Sequence, residues 1–148
     1  MPAQSTMVSP QQLIDAAKAP LLAYNDKNWA AVRAAITPQF AYDEVATGLK
    51  VQGADEAIAV WQAWATAFPD SRATIHNELA SGNMVILEHT WNGTHRGPLQ
   101  TPTGTIPATG KPIEVRACMI VEIAGDKAAV QRHYFDMATL LQQLGVTG

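Results

Sequence analysis

IEVRACMIVEIAGDKAAVQRHYFD, Ile113 to Asp136, is the stretch whose reading decides the fold. Two apolar-rich runs, Ile113–Ile123 and Ala128–Phe135, flank Gly125-Asp126, which is the turn chemistry of an antiparallel hairpin. A second hairpin precedes it: Ala73–Leu79 and Met84–His95 are joined across Ser81-Gly82-Asn83. Between the two hairpins, Gly97–Pro112 carries four prolines and three glycines and reads as a long loop. Loops of that length are uncommon in compact domains and often serve as functional lids.

The first half of the chain has helical spacing. Ser9-Pro10-Gln11-Gln12 is a helix start: Ser9 caps, Pro10 suits the first turn, and Gln12 reaches back to the cap. Leu13, Ala17 and Leu21 then recur every fourth residue, with Pro20 expected to bend or shorten the helix. Asn25-Asp26 breaks it, and a second short helix carries Trp29, Val32, Arg33 and Ile36 up to Pro38. Phe40–Val45 reads as a short strand. A third helix follows Gly53-Ala54-Asp55 with Ile58, Trp61, Trp64, Ala65 and Phe68 on one broad face. Met137–Leu144 is a closing helix ended by Gly145. Helices followed by long antiparallel strands define an α+β fold, with N-terminal helices on the concave side of a strongly curved, mainly antiparallel sheet. The expected organisation is one domain over residues 1–148, with residues 1–8 flexible.

Composition narrows the function. The chain has 148 residues, 47% hydrophobic and 16% charged, a balance that folds around a core. A net charge of -3 offers no basic field for nucleic acid. No apolar run is long enough to span a membrane, and the polar start lacks a signal-peptide pattern. One cysteine, Cys118, suits a reducing compartment, so a cytoplasmic location is expected.

Alternation along the last strand puts Val130, Arg132, Tyr134 and Asp136 on one face and Gln131, His133 and Phe135 on the other. An ionisable ladder beside apolar residues is unusual for a core face. A buried carboxyl has its pKa raised, which would make Asp136 a proton donor and acceptor near neutrality. Asp136 also directly precedes a helix, where aspartate is a favoured N-cap, and capping lowers a carboxyl pKa instead. Spacing leaves both roles open. The histidines do not form a metal site: His89 and His95 share a strand face but are about 20 Å apart at about 3.3 Å per residue. His89, between Leu87 and Trp91, is the candidate acid, base or orienter. Arg116 lies mid-strand, where burial would demand a carboxylate partner. Tyr42, Trp61, Trp64, Phe68 and Trp91 are either core or the wall of a pocket for a flat apolar ligand.

Four segments carry a resemblance. They are Phe68-Pro69-Asp70, Gly93-Thr94-His95-Arg96-Gly97, Ile106-Pro107-Ala108-Thr109-Gly110-Lys111, and Tyr134-Phe135-Asp136 continuing to Leu141-Gln142-Gln143-Leu144-Gly145. In this order and spacing the chain resembles the SnoaL-like polyketide cyclases and predicted ester cyclases, from about Leu13 to Gly145. The resemblance implies the cone-shaped α+β fold of nuclear transport factor 2-like and ketosteroid isomerase-like proteins, paired as homodimers through the sheet. It also implies an aldol-type ring closure without metal or cofactor, with Asp136 as acid/base and a second polar group beside the substrate carbonyl. Met119 stands where relatives often carry a polar residue. On this reading Asp136 removes a proton next to a carbonyl, and Tyr134 or His89 donates to the oxyanion. Tyr42, Trp61, Trp64, Phe68, Trp91, Arg116 and Met119 would contact a small apolar or aromatic ligand. Rival readings on the same scaffold are an epoxide hydrolase using Asp43, Arg116 and Asp136 around a water, an isomerase using one carboxylate with Tyr42 or Tyr134, and a non-catalytic binding domain.

Overall fold

The computed structural model describes residues 8–146. The flexible start expected for residues 1–8 lies, apart from exposed Val8, outside the described residues.

Helix α1 spans Pro10–Asn25. Gln12 N donates to Ser9 Oγ at 3.1 Å, and Ser9 N donates to Gln12 Oε1 at 2.9 Å, closing the capping box read from the sequence. The helix continues through Pro20, which lies on its buried face with Leu13, Ala17, Leu21 and Tyr24. Helix α2 is only Trp29–Ala34, capped by Asn28. Ile36 does not belong to it, because strand β1 (Ile36–Glu44) has already begun. Pro38 therefore sits inside a strand rather than stopping a helix. It has no N–H for a ladder, and the pairing of β1 is irregular between Ile36 and Ala41, where that loss costs least. Strand β2 (Leu49–Gln52), unanticipated because it alternates over so few residues, folds back on β1.

Helix α3 spans Ala54–Ala67. The two long hairpins follow as β3 (Arg72–Ser81) with β4 (Met84–Thr94), and β7 (Pro112–Ala124) with β8 (Lys127–Phe135). The proline-rich segment between them is not a bare loop. It folds as a small hairpin, β5 (Leu99–Thr101) with β6 (Gly104–Ile106). Leu99 explains why, since it is buried among Phe68, Ile113, Val115 and Leu140 and anchors the arm against α3. Helix α4 (Met137–Gln143) closes the described chain.

The main sheet has the order β2-β1-β8-β7-β4-β3, antiparallel throughout except for the parallel pair β1–β8. Helices α1 and α3 cover one face of this curved, mainly antiparallel sheet and bury Val32, Phe40, Leu87 and Val121 completely. The parallel pair is what positions the site, because it sets Tyr42 and Glu44 of β1 beside Gln131 and His133 of β8. Among the described residues no helix is long and apolar enough to cross a membrane.

Candidate active site

A cavity of about 80 Å³ lies between the helices and the sheet. Tyr42, Trp61, Trp64, Phe68, Trp91 and Met119 all line it. Aromatic rings make its walls rigid: Tyr42 meets Trp61 edge-on at 5.4 Å between centroids, and Trp91 meets Tyr24 at 5.3 Å. Into this apolar surface the sheet projects a few polar groups, Glu44, Gln131 and His133, with Ser71 at the α1 side.

Two of these, Glu44 and His133, join Tyr42 and their neighbours in one buried chain of hydrogen bonds. The Glu44 carboxylate accepts from the Tyr42 hydroxyl at 2.7 Å, from Trp64 Nε1 at 2.8 Å and from Thr47 Oγ1 at 2.7 Å. The Tyr42 oxygen is 3.2 Å from His133 Nδ1. On the far side of that ring, His133 Nε2 is 3.2 Å from His89 Nε2 and accepts from Trp91 Nε1 at 3.3 Å. Because Tyr42 has given its only proton to Glu44, its oxygen must accept, so His133 carries its proton on Nδ1 and leaves Nε2 bare. Burial pushes the His133 pKa down to about 3 and that of His89 down to about 4, so both rings are neutral at physiological pH. Burial, followed by the Glu44 charge, raises the Tyr42 hydroxyl well above its ordinary value and keeps it a proton donor. The arrangement suits a neutral imidazole base with a fixed tautomer, backed by a hydroxyl and a carboxylate.

Gln131 is different in kind. It is buried and lines the cavity, yet its side-chain amide makes no hydrogen bond to any described residue. The amide is therefore open to the cavity, a donor and acceptor left for a ligand.

Asp136 does not face the cavity. It is exposed at the N-terminus of α4, where its carboxylate accepts from Ala138 N at 2.9 Å, Thr139 N at 3.3 Å and Thr139 Oγ1 at 2.7 Å. The Thr139 hydroxyl first, then the backbone donors, hold its pKa below the ordinary carboxylate range, the opposite of what an acid near neutrality requires. Tyr134 is 38% exposed and points to the outer face of the sheet with Arg132, which is paired with Glu122 at 2.8 Å. Arg116 is exposed too, opposite Thr90 on that outer face, so burial imposes no partner on it. Asp43 shares the outer face, between the inward Tyr42 and Glu44. Asp43, Arg116 and Asp136 therefore do not surround a water inside the cavity. His89 is fully buried and is not among the residues lining the cavity; its ring lies against His133 and Trp91.

The sequence profile of the SnoaL-like polyketide cyclases matches residues 14–144. The chain belongs to that family. Solved structures of similar shape share its ketosteroid isomerase-like fold. IdmH from Streptomyces antibioticus has a TM-score of 0.76 and 23% identity, covering 94% of this chain and 100% of the other. A protein with a ketosteroid isomerase-like fold from Catenulispora acidiphila gives 0.75 and 17%, covering 89% and 93%. An LEH-like epoxide hydrolase from M. tuberculosis gives 0.70 and 19%, covering 90% of each chain. Among curated proteins the sequence has no match. In this SnoaL-like chain the motifs that carry the resemblance build the frame. Asp70 accepts from Thr94 N at 2.7 Å and from Thr94 Oγ1 at 2.8 Å, and Arg96 N and Gly97 N both donate to Ala67 O. His95 Nδ1 joins Thr109 Oγ1 at 3.0 Å, tying β4 to the segment before β7.

Proposed function

We propose that this SnoaL-like protein is a cofactor-free acid/base enzyme that closes a ring in an apolar carbonyl compound by an aldol-type step, with His133 as the base. The observation that carries the reading is the Glu44–Tyr42–His133 chain on the wall of an otherwise apolar cavity. Nε2 of His133 takes a proton from the carbon next to the substrate carbonyl, exchanging its long bond from Trp91 for the new one. The electron pair of that C–H bond forms an enolate, whose oxygen accepts from the Gln131 amide. Carbon–carbon bond formation to a second carbonyl gives an alkoxide, and His133 returns the proton to it. Tyr42 and Glu44 hold the imidazole in its working tautomer throughout, and Trp61, Trp64 and Trp91 exclude water. Pairing of two copies through the outer face of the sheet, and action in the cytoplasm, belong to the same reading.

Turnover of linear polyketide esters, followed by chromatography and mass spectrometry, tests it. His133→Asn should lower kcat by about 100-fold or more, the scale of a lost general base. Asp136→Asn should leave kcat unchanged. A His133→Asn enzyme at wild-type rate, or a dead Asp136→Asn enzyme, would return the chemistry to the sheet end where Asp136 lies.

A further inference from the structure

The hydrogen-bond chain ends on a ring nitrogen, Nε2 of His89, that has no donor. Glu44 accepts three bonds, Tyr42 donates one and accepts one, and His133 donates through Nδ1, so each position as far as His133 is defined. His89 Nδ1 is 3.1 Å from the carbonyl oxygen of Leu87, which can only accept, so the His89 proton sits on Nδ1. That leaves His89 Nε2 bare as well. Two unprotonated ring nitrogens therefore face each other at 3.2 Å; the one on His133 accepts from Trp91 Nε1 at 3.3 Å, and the one on His89 has no donor. The ring planes differ by 24° with centroids 5.3 Å apart, so nitrogen edge meets nitrogen edge along the line of an N–H···N bond. Moving the His89 proton to Nε2 does not help, because its Nδ1 lone pair would then oppose the Leu87 oxygen. One added proton between the two nitrogens gives His89 Nε2 a partner, with His133 Nε2 exchanging its 3.3 Å bond from Trp91 Nε1 for it.

The surroundings decide what would bring that proton in. Glu44 and Tyr42 on β1, Tyr24 on α1 and His76 on β3 are the titratable groups that act on the pair or its chain. Met119 and Phe135, packed beside His133, carry no charge. Among the described residues Glu44 is the one formal charge lining the cavity, and it is already committed to three donors. A second anion entering these apolar walls needs a compensating positive charge. The gap between the histidines supplies the place for it.

We propose that His89 and His133 act as one proton-holding pair, so that the cavity binds the conjugate base of a weak oxygen or carbon acid, a phenolate or an enolate, together with one proton. The anionic oxygen takes the free Gln131 amide, and the proton sits on the His89–His133 axis. His89 is then a positioning residue that makes His133 a better proton acceptor without touching the ligand. The inference rests on the reading of the cavity as a ligand site, and it narrows the substrates of that site to compounds that reach an enolate or phenolate form.

Calorimetric titration of the full chain with 4-nitrophenol, at a pH where the free probe is ionised, tests this in buffers of different ionisation enthalpy. 4-Nitroanisole serves as the neutral probe of the same cavity. Wild type should take up about one proton per phenolate bound and none with the anisole. His89→Asn should lose the uptake and bind phenolate about tenfold more weakly or worse, with anisole affinity kept within about twofold. Phenolate binding to wild type without proton uptake overturns the proposal and leaves the cavity a ligand site. Uptake that persists in His89→Asn overturns it as well, because the proton then has another holder. Failure of both probes to bind wild type removes the ligand site itself and the proposal with it.

Discussion

The Tyr42 hydroxyl on β1 lies 3.2 Å from Nδ1 of His133 on β8, and the two strands run parallel. The hydroxyl serves two masters, donating to Glu44 and accepting from the imidazole. Tyr42→Phe removes both bonds and leaves a buried N–H and a buried carboxylate each short of a partner. Chemical denaturation should show a loss of about 1–3 kcal/mol, the usual cost of stranding buried polar groups. Turnover should fall about 10- to 100-fold, since the His133 tautomer is no longer fixed.

Acid should unfold this protein through its histidines. The folded pKa values, about 3 for His133 and about 4 for His89, lie below the ordinary imidazole value. The unfolded chain therefore binds more protons at acidic pH, so stability is fully present above about pH 6.5 and falls as pH drops toward those values. Each histidine adds a slope of at most about 1.4 kcal/mol per pH unit in that window. Denaturant midpoints measured across it should decline steeply for wild type and more gently for His133→Asn; equal slopes would show that the rings are not held neutral.

Removing the α4 cap separates structure from chemistry. Asp136→Ala discards the bonds to Ala138 N, Thr139 N and Thr139 Oγ1. The melting temperature should fall by about 2–4 °C, as for a lost N-cap in a chain of this size. Turnover at the permissive temperature should not change.

Gln131 should behave the opposite way. Its amide opens to the cavity and has no partner among the described residues, so Gln131→Leu strands nothing and should leave the melting temperature the same or higher. The oxyanion then loses its donor, and kcat should fall by about 100-fold with the fold intact. A stable, fully active Gln131→Leu enzyme would exclude it as the donor.

Gly97 is required for a close approach. A Cβ there would run into the carbonyl of Thr66 at the end of α3, against which Arg96 and Gly97 are strapped through Ala67 O. Gly97→Ala should therefore loosen the arm carrying Leu99, by about 1–3 kcal/mol for an overpacked contact. Hydrogen exchange at Arg96 and Gly97 is the readout.

Much of the fold is legible because its signals are local. Ser9 and Gln12 form their capping box within one helical turn, and Gly82, Gly125 and Gly145 hold positive φ where turn chemistry asks for it. The strand at Ile36 was hidden because Pro38 reads as a helix stop, and only the irregular pairing with β8 shows why a strand tolerates it. The small hairpin at Leu99 was hidden because prolines and glycines carry no periodicity, while its buried anchor is a long-range contact.

The site turned on one residue. The tight turn pairs Ala124 with Lys127 and Ile123 with Ala128, and an unbroken ladder would next set Glu122 against Ala129. Instead Glu122 pairs with Val130, so Ala129 is an extra residue in β8. A slip of one residue sends every later side chain to the opposite face. Without it Arg132, Tyr134 and Asp136 would point inward; with it Gln131 and His133 do, and Met119 meets His133. The sequence by itself determined the elements, their order and the alternation within β8, since each depends on residues a few positions apart. Which side of β8 became the cavity wall, and that Glu44 and Tyr42 stand beside it, only the tertiary structure decided, because a bulge and a parallel pairing are settled by packing across the whole sheet.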